Sequence, residues 1–331
     1  RNVRVADPFY QGQEKIVKLK WQKDGLEVLE VESNERFRQN DLNHMPVLKI
    51  PGAHIDFRCQ QNENDECVGG DERNDEITWK KRRFFQAEFK NLNVLETNKL
   101  DIMTLNSSCI SKVNTRMVDY TVKNGVINIE LEKTYKTAND FGRCLWRHYQ
   151  EDPEGLSGFS NTTFKTRFFY SLVEIDRLKS KDYKARSYPT EEHGKFGYFK
   201  DRHSELDIDN DYQRENESYL LNRWKGSGDP EKPREIEYFL SQSYFEPENQ
   251  KLLRYTQLAE LLINDALEKA KADIRVNFRD DVEKHNKRAG DLRNNMLVLI
   301  DEPLANGLLG YAPTVSNPRT GEIVQGHVNM Y

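Results

Sequence analysis

Residues that could do chemistry are scattered along this chain rather than clustered. It holds seven histidines, at His44, His54, His148, His193, His203, His285 and His327. No two stand four apart with a glutamate between them, the spacing that puts both imidazoles on one helix face to bind zinc. Glu192-His193 and His203-Ser204-Glu205 place acid beside imidazole but lack a third partner, so both read as surface histidines. Neither a G-x-S-x-G elbow nor a phosphate-cradling glycine loop is present. Asp207, Asp209 and Asp211 set three carboxylates at alternate positions, as a hard cation such as calcium would want. Tyr212 fills the sixth position, where a calcium loop needs glycine, and the distal glutamate is missing. A solvated acidic loop therefore outweighs a calcium site there.

Four cysteines are present: Cys59, Cys67, Cys109 and Cys144. Cys59 and Cys67 bracket the polar run QQNENDE, which reads as a short loop closed by a disulfide. Cys109 and Cys144 would form a second pair. Disulfides imply an oxidising compartment: secreted, periplasmic or cell-surface. Free thiols are the alternative, and a four-cysteine zinc site is disfavoured because C-x₂₋₄-C spacing is missing.

The elements that must position these groups follow from pattern. Residues 1–180 read as a β-rich domain, an antiparallel sheet or sandwich. Asp24-Gly25 and Asn124-Gly125 each divide two alternating runs, a strong hairpin signal. Phe84–Phe89 and Phe164–Ile175 add strand-like stretches rich in aromatics. Lys80-Lys81-Arg82-Arg83 reads as the solvated start of a strand, with Phe84 and Phe85 turned inward. Residues 181–232 are polar and read as a connection. From 233 to 331 the pattern becomes α/β. Ile236, Tyr238 and Leu240 alternate as a strand, and a helical pattern runs from Asn249 to about Ala272. Leu252, Tyr255, Leu258, Ala259, Leu262, Ala266 and Ala270 mark one face of it, expected to pack against a sheet. Ile274–Phe278 and Met296–Ile300 are short strands. Asn317-Pro318-Arg319-Thr320-Gly321 then makes a turn. Glu322–Met330 alternates beyond it, with the Gln325, His327 and Asn329 face expected to meet solvent. The fold class is α+β.

The closing run GYAPTVSNPRTGEIVQGHV, Gly310 to Val328, resembles a segment of the large bacterial secreted or lipoprotein zinc metalloproteases of the zincin type. Three upstream stretches resemble the same family in the same order: Arg186 with Gly194–Phe199, Tyr219–Trp224, and Pro233–Leu240. The likeness covers about Phe164 to Tyr331. It implies the start of a zincin-like protease domain whose edge strand holds an extended peptide by main-chain hydrogen bonds. That strand is expected within Gly321–Met330, with substrate contacts at Val324, Gln325, Gly326, His327 and Val328. Gly307, Leu308, Leu309 and Gly310 would form the rim. Zinc is expected on a His-Glu-x-x-His helix outside the residues given, so none of its ligands lies in this chain. The implied partners are a peptide or protein substrate and the remainder of the protease domain.

The bulk composition fits either an exported peptidase or a non-catalytic extracellular β-rich binding module, the alternative reading. Charged residues make up 32% of the chain and the net charge is −5, which gives no basic footprint for nucleic acid. No apolar run reaches the ~20 residues a membrane span needs. The first residue is Arg rather than Met, as in a trimmed chain.

Overall fold

The computed structural model describes residues 15–31, 45–64, 66–94, 110–137, 163–195, 197–206, 215–280, 287–300 and 309–331. Cys109, Cys144, Asp207, Asp209, Asp211, Gly307 and Leu308 lie outside these. The architecture is α+β, with strands dominating. Among the described residues no helix is long and apolar enough to cross a membrane. The chain divides into two compact units, Gly12–Thr104 with Asn114–Met117, and the remainder.

In the first unit, β1 (Val17–Gln22) and β2 (Gly25–Glu30) form a hairpin in which Gln22 faces Gly25. The two-residue turn is thus Lys23-Asp24, one position earlier than the Asp24-Gly25 step suggested. Gly25 belongs to the strand for a steric reason: a Cβ there would lie 2.8 Å from the Ile50 carbonyl oxygen. The next strands are β3 (Met45–Ile55), β4 (Phe57–Gln61), β5 (Cys67–Arg73), β6 (Phe84–Ala87) and β7 (Asn93–Val94). The first part of β3 pairs with β2 and β7, and its last four residues pair with β6. Val28, Val47 and Ile50 are fully enclosed. β4 and β5 are joined by the Cys59–Cys67 disulfide, the bridge expected of that polar loop. Such a short closed loop contributes about 2–3 kcal/mol by limiting the unfolded chain.

Within the basic run Lys80 and Lys81 are exposed, whereas Arg82 and Arg83 make structural bonds. Arg82 donates to the carbonyls of His54, Asp75 and Ile77. Arg83 grips the Asp56 carboxylate at 2.6 and 2.9 Å. These bonds hold the Asp56 carboxyl down at about 2, against the opposing effect of burial. Phe84 remains half exposed, whereas Phe85 packs on Trp21 and His54.

In the second unit, β8 (Ile110–Lys123), β9 (Val126–Thr137) and β10 (Thr163–Val173) form an antiparallel sheet in the order β10-β9-β8. Asn124 and Gly125 take φ values of 51° and 69°, the positive pair a tight hairpin turn needs. A four-residue helix α1 (Ile175–Leu178) follows, then a hairpin of β11 (Lys200–Leu206) and β12 (Glu215–Leu221). The stretch read as a polar connection therefore carries paired strands.

The α/β part runs β13 (Arg234–Leu240), α2 (Gln250–Lys269), β14 (Ile274–Arg279), β15 (Met296–Leu299), β16 (Gly310–Tyr311), β17 (Thr314–Asn317) and β18 (Glu322–Met330). The sheet order is β14-β13-β15-β18-β16, with β17 also on β18. β13, β14, β15 and β18 are mutually parallel, whereas β16 and β17 run antiparallel to β18. One face of this sheet is apolar, with Leu240, Tyr244, Leu297 and Leu299 at its core and Val328 and Met330 against them. The other centres on Phe239, Met296, Val298 and Ile300.

Helix α2 corrects the sequence reading. Leu252, Tyr255, Leu258, Ala259, Leu262, Ala266 and Ala270 are exposed rather than packed on the sheet. The inward face is Leu253, Thr256, Glu260, Asn264 and Leu267. Asn264 and Glu260 have backbone partners there. Asn264 donates to the Val276 carbonyl and accepts from the Val276 N–H, each at 2.9 Å. Glu260 accepts from the Phe278 N–H at 3.1 Å. The helix thus seals the outer hydrogen-bonding edge of β14, a task polar side chains perform and hydrophobic periodicity cannot reveal.

Candidate substrate-binding edge

The expected edge strand is not at the edge. β18 pairs with β15 through His327–Met330 on one side and with β17 and β16 on the other. Nearer its start, Arg223 bridges to it: the Arg223 N–H donates to Gly321, and Ile323 N–H donates to Arg223. Gln325, Gly326, His327 and Val328 therefore lie within the sheet and Val324 is bulged between paired neighbours, so β18 is not the open strand expected of these residues. That position falls one strand outward, to Gly310–Asn317.

The outer side of this ribbon can be assigned from its register. Gly310, Tyr311 and Thr314 face Met330, Asn329 and Gly326 respectively. The inward bonds run from Tyr331 N–H to the Leu309 carbonyl, 3.0 Å, and from His327 N–H to the Pro313 carbonyl, 3.0 Å. In an antiparallel ladder the bonding residues alternate. The N–H and C=O groups of Gly310, Ala312 and Thr314 consequently point away from β18. Among the described residues no strand pairs on that side. Beyond Val315 the register slips, leaving Val324 as an extra residue on β18. This bulge bends the ribbon at its midpoint.

Fixed supports hold the edge in place. Asn317 begins the turn to β18: its carbonyl accepts from Thr320 and Gly321, and its side chain from the Arg319 N–H. Gly321 closes the turn with φ 72°. Ser316 donates to Asp201, which also accepts from Asn222 and so ties β17 to the β11–β12 hairpin. The Tyr311 and Tyr331 rings stack with centroids 6.2 Å apart, and Leu309 is exposed at the ribbon's start.

The face of β18 expected to meet solvent is buried. Gln325, His327 and Asn329 are 1%, 4% and 0% exposed, so this polar row is as enclosed as the apolar core. Gln325 Nε2 donates to the Asn294 carbonyl at 3.0 Å, and the Asn295 side chain accepts from the Gly326 N–H at 2.9 Å. His327 Nε2 meets Asn329 Oδ1 at 3.0 Å. Burial pushes the His327 imidazole below its ordinary value and keeps it neutral, despite the opposing contact with Asn329. Gln325 Oε1, His327 Nδ1 and Asn329 Nδ2 have no hydrogen-bond partner among the described residues. Gly326 is required for steric reasons, since a Cβ there would meet the Tyr238 hydroxyl.

The loop beneath this row is locked by Asp291. Burial pushes its carboxyl up, but hydrogen bonds from Arg293 and Asn128 outweigh that and hold it below the usual range. Glu322 is buried as well and accepts from the Ser180 N–H through both oxygens, at 3.1 Å.

His54 and His193 are engaged in structural contacts. His54 bonds the Gln22 carbonyl, and His193 bonds the Tyr188 carbonyl with Lys200 at its other nitrogen. Among the described residues no group of three or more His, Cys, Asp or Glu could hold a metal ion. These residues offer no set that fits zinc. No sequence signal marks the outer ribbon: the ring nitrogen of Pro313 falls on the side that faces β18, where it interrupts the ladder between β16 and β17.

No family model, curated protein or solved structure matches the chain.

Proposed function

We propose that this chain is the N-terminal portion of a zinc-dependent endopeptidase. It would supply the sheet edge on which an extended peptide substrate is laid out. The observation that carries this reading is the antiparallel ribbon Leu309–Asn317, outermost in a parallel sheet with Gly310, Ala312 and Thr314 turned outward. Main-chain bonding to such an edge provides affinity without demanding one side-chain sequence, as an endopeptidase needs. The motif resemblance from Phe164 onward supports the same reading, with substrate alignment assigned to β16–β17 in place of β18. Zinc, and the glutamate that would act with it, are assigned to residues outside this chain. The Cys59–Cys67 bridge supports a secreted, periplasmic or cell-surface location.

The test is peptide cleavage by the complete gene product, with zinc content measured on the same sample. Cleavage abolished by a chelator and restored by zinc supports the proposal. Peptide binding that is indifferent to chelator and unaccompanied by cleavage would replace it with the extracellular binding module.

A further inference from the structure

The outward face of α2 has the chemistry of an interface. Leu252, Tyr255, Leu258, Leu261, Leu262 and Ile263 are each between 41% and 67% exposed. Leu252 to Ile263 spans about 16 Å of helix at 1.5 Å per residue. Scattered exposed leucines need no explanation, but Tyr255, Leu258 and Leu262 share one ridge of the helix, flanked by Leu252 and Ile263 on one side and Leu261 on the other. The inward face cannot take these groups by rotation, because Asn264 and Glu260 are committed to the β14 backbone.

The charges bordering the patch say what covers it. Lys251 and Arg254 border its N-terminal half, and Asp265 and Glu268 its C-terminal half, where Asp265 also pairs with Lys269 at 2.6 Å. The first turn holds no acidic residue, and Lys251 stands in it, against the preference of the helix dipole for anions at this end. Basic residues early and acidic residues late make this face complementary to the same helix reversed, although Lys269 in the last turn suits the dipole. With a two-fold axis at Leu258, Lys251 of one copy lies opposite Asp265 of the other, and Tyr255 opposite Leu261. The two dipoles then oppose, and the leucine ridge is enclosed.

We propose that α2 is the interface of an antiparallel, two-fold dimer of this chain. The patch is short for a permanent assembly, so the dimer forms reversibly at elevated concentration. Sedimentation velocity of the full chain across the micromolar to low-millimolar range tests this. The expected result is a concentration-dependent dimer that Leu258→Glu with Leu262→Glu converts to monomer, with circular dichroism and melting temperature retained. A charge exchange keeps the test independent of that variant's folding. Lys251→Glu with Arg254→Glu, and Asp265→Lys with Glu268→Lys, each weaken self-association, and mixing the two proteins restores it as a heterodimer. A chain monomeric at every concentration, or a dimer indifferent to both sets of changes, overturns the proposal. So does a monomer that binds phosphatidylglycerol-containing vesicles through Leu258 and Leu262, because the occupant would then be a lipid surface.

Discussion

The side-chain amide of Asn264 makes both available backbone hydrogen bonds to Val276, donating to its carbonyl and accepting from its N–H at 2.9 Å each. A residue on a helix thereby takes the part of a neighbouring strand. Asn264→Ala should cost about 1–3 kcal/mol, because it leaves two half-buried backbone groups unpaired. Chemical denaturation measures the loss. Asn264→Leu, which keeps the bulk but not the bonds, should not restore stability.

Gly326 and Tyr238 form a second such pairing. Gly326→Ala should destabilise the sheet by about 1–3 kcal/mol, since the new methyl meets the Tyr238 hydroxyl in a packed interior. Combining it with Tyr238→Phe should recover part of that loss in a thermal melt. Burial already pushes the Tyr238 phenol up to about 12, so its neutral form persists through the ordinary pH range.

His327 gives the fold a pH dependence of defined sign. Its folded-state value is depressed by burial, so the unfolded chain binds a proton more readily. Stability is therefore complete above the ordinary histidine value near 6.5 and falls as pH drops below it toward the folded value. Melting temperatures between neutral pH and about 5.5 should decline more steeply for the native chain than for His327→Gln. Equal slopes would show that His327 titrates alike in both states.

A second acid transition belongs to the first unit. Asp56 is held at about 2 by Arg83, so the stability it adds is present above the ordinary aspartate value and lost as pH falls from about 4 toward 2. Arg83→Ala should reduce this component, leaving the part held by the backbone N–H groups of residues 57 and 83, as read from the acid limb of an unfolding curve.

Much of the fold was legible where local chemistry dictates it. Asn124-Gly125 announces its turn through two positive φ values, and the polar loop between Cys59 and Cys67 announces its bridge. Two misreadings share one cause. The buried faces of α2 and β18 are polar: Asn264 and Glu260 on one, Gln325, His327 and Asn329 on the other. Hydrophobic patterning assigns such faces to solvent. Backbone bonding by side chains reverses the assignment on α2, and on β18 the loop around Asn294 and Asn295 encloses the row. The candidate edge was displaced by a single strand because the turn at Asn317–Gly321 fixes a hairpin without showing which of its arms lies outside.

In the proposed function, the outward amides of the β16–β17 ribbon receive an extended chain. Amide hydrogen exchange, with and without a pool of short unstructured peptides, reads this directly. Slowed exchange at Gly310, Ala312 and Thr314, weakened by Ala312→Pro, with β18 unchanged, is the expected result. Unchanged exchange across Leu309–Asn317 at saturating peptide, or protection confined to other strands, would contradict it.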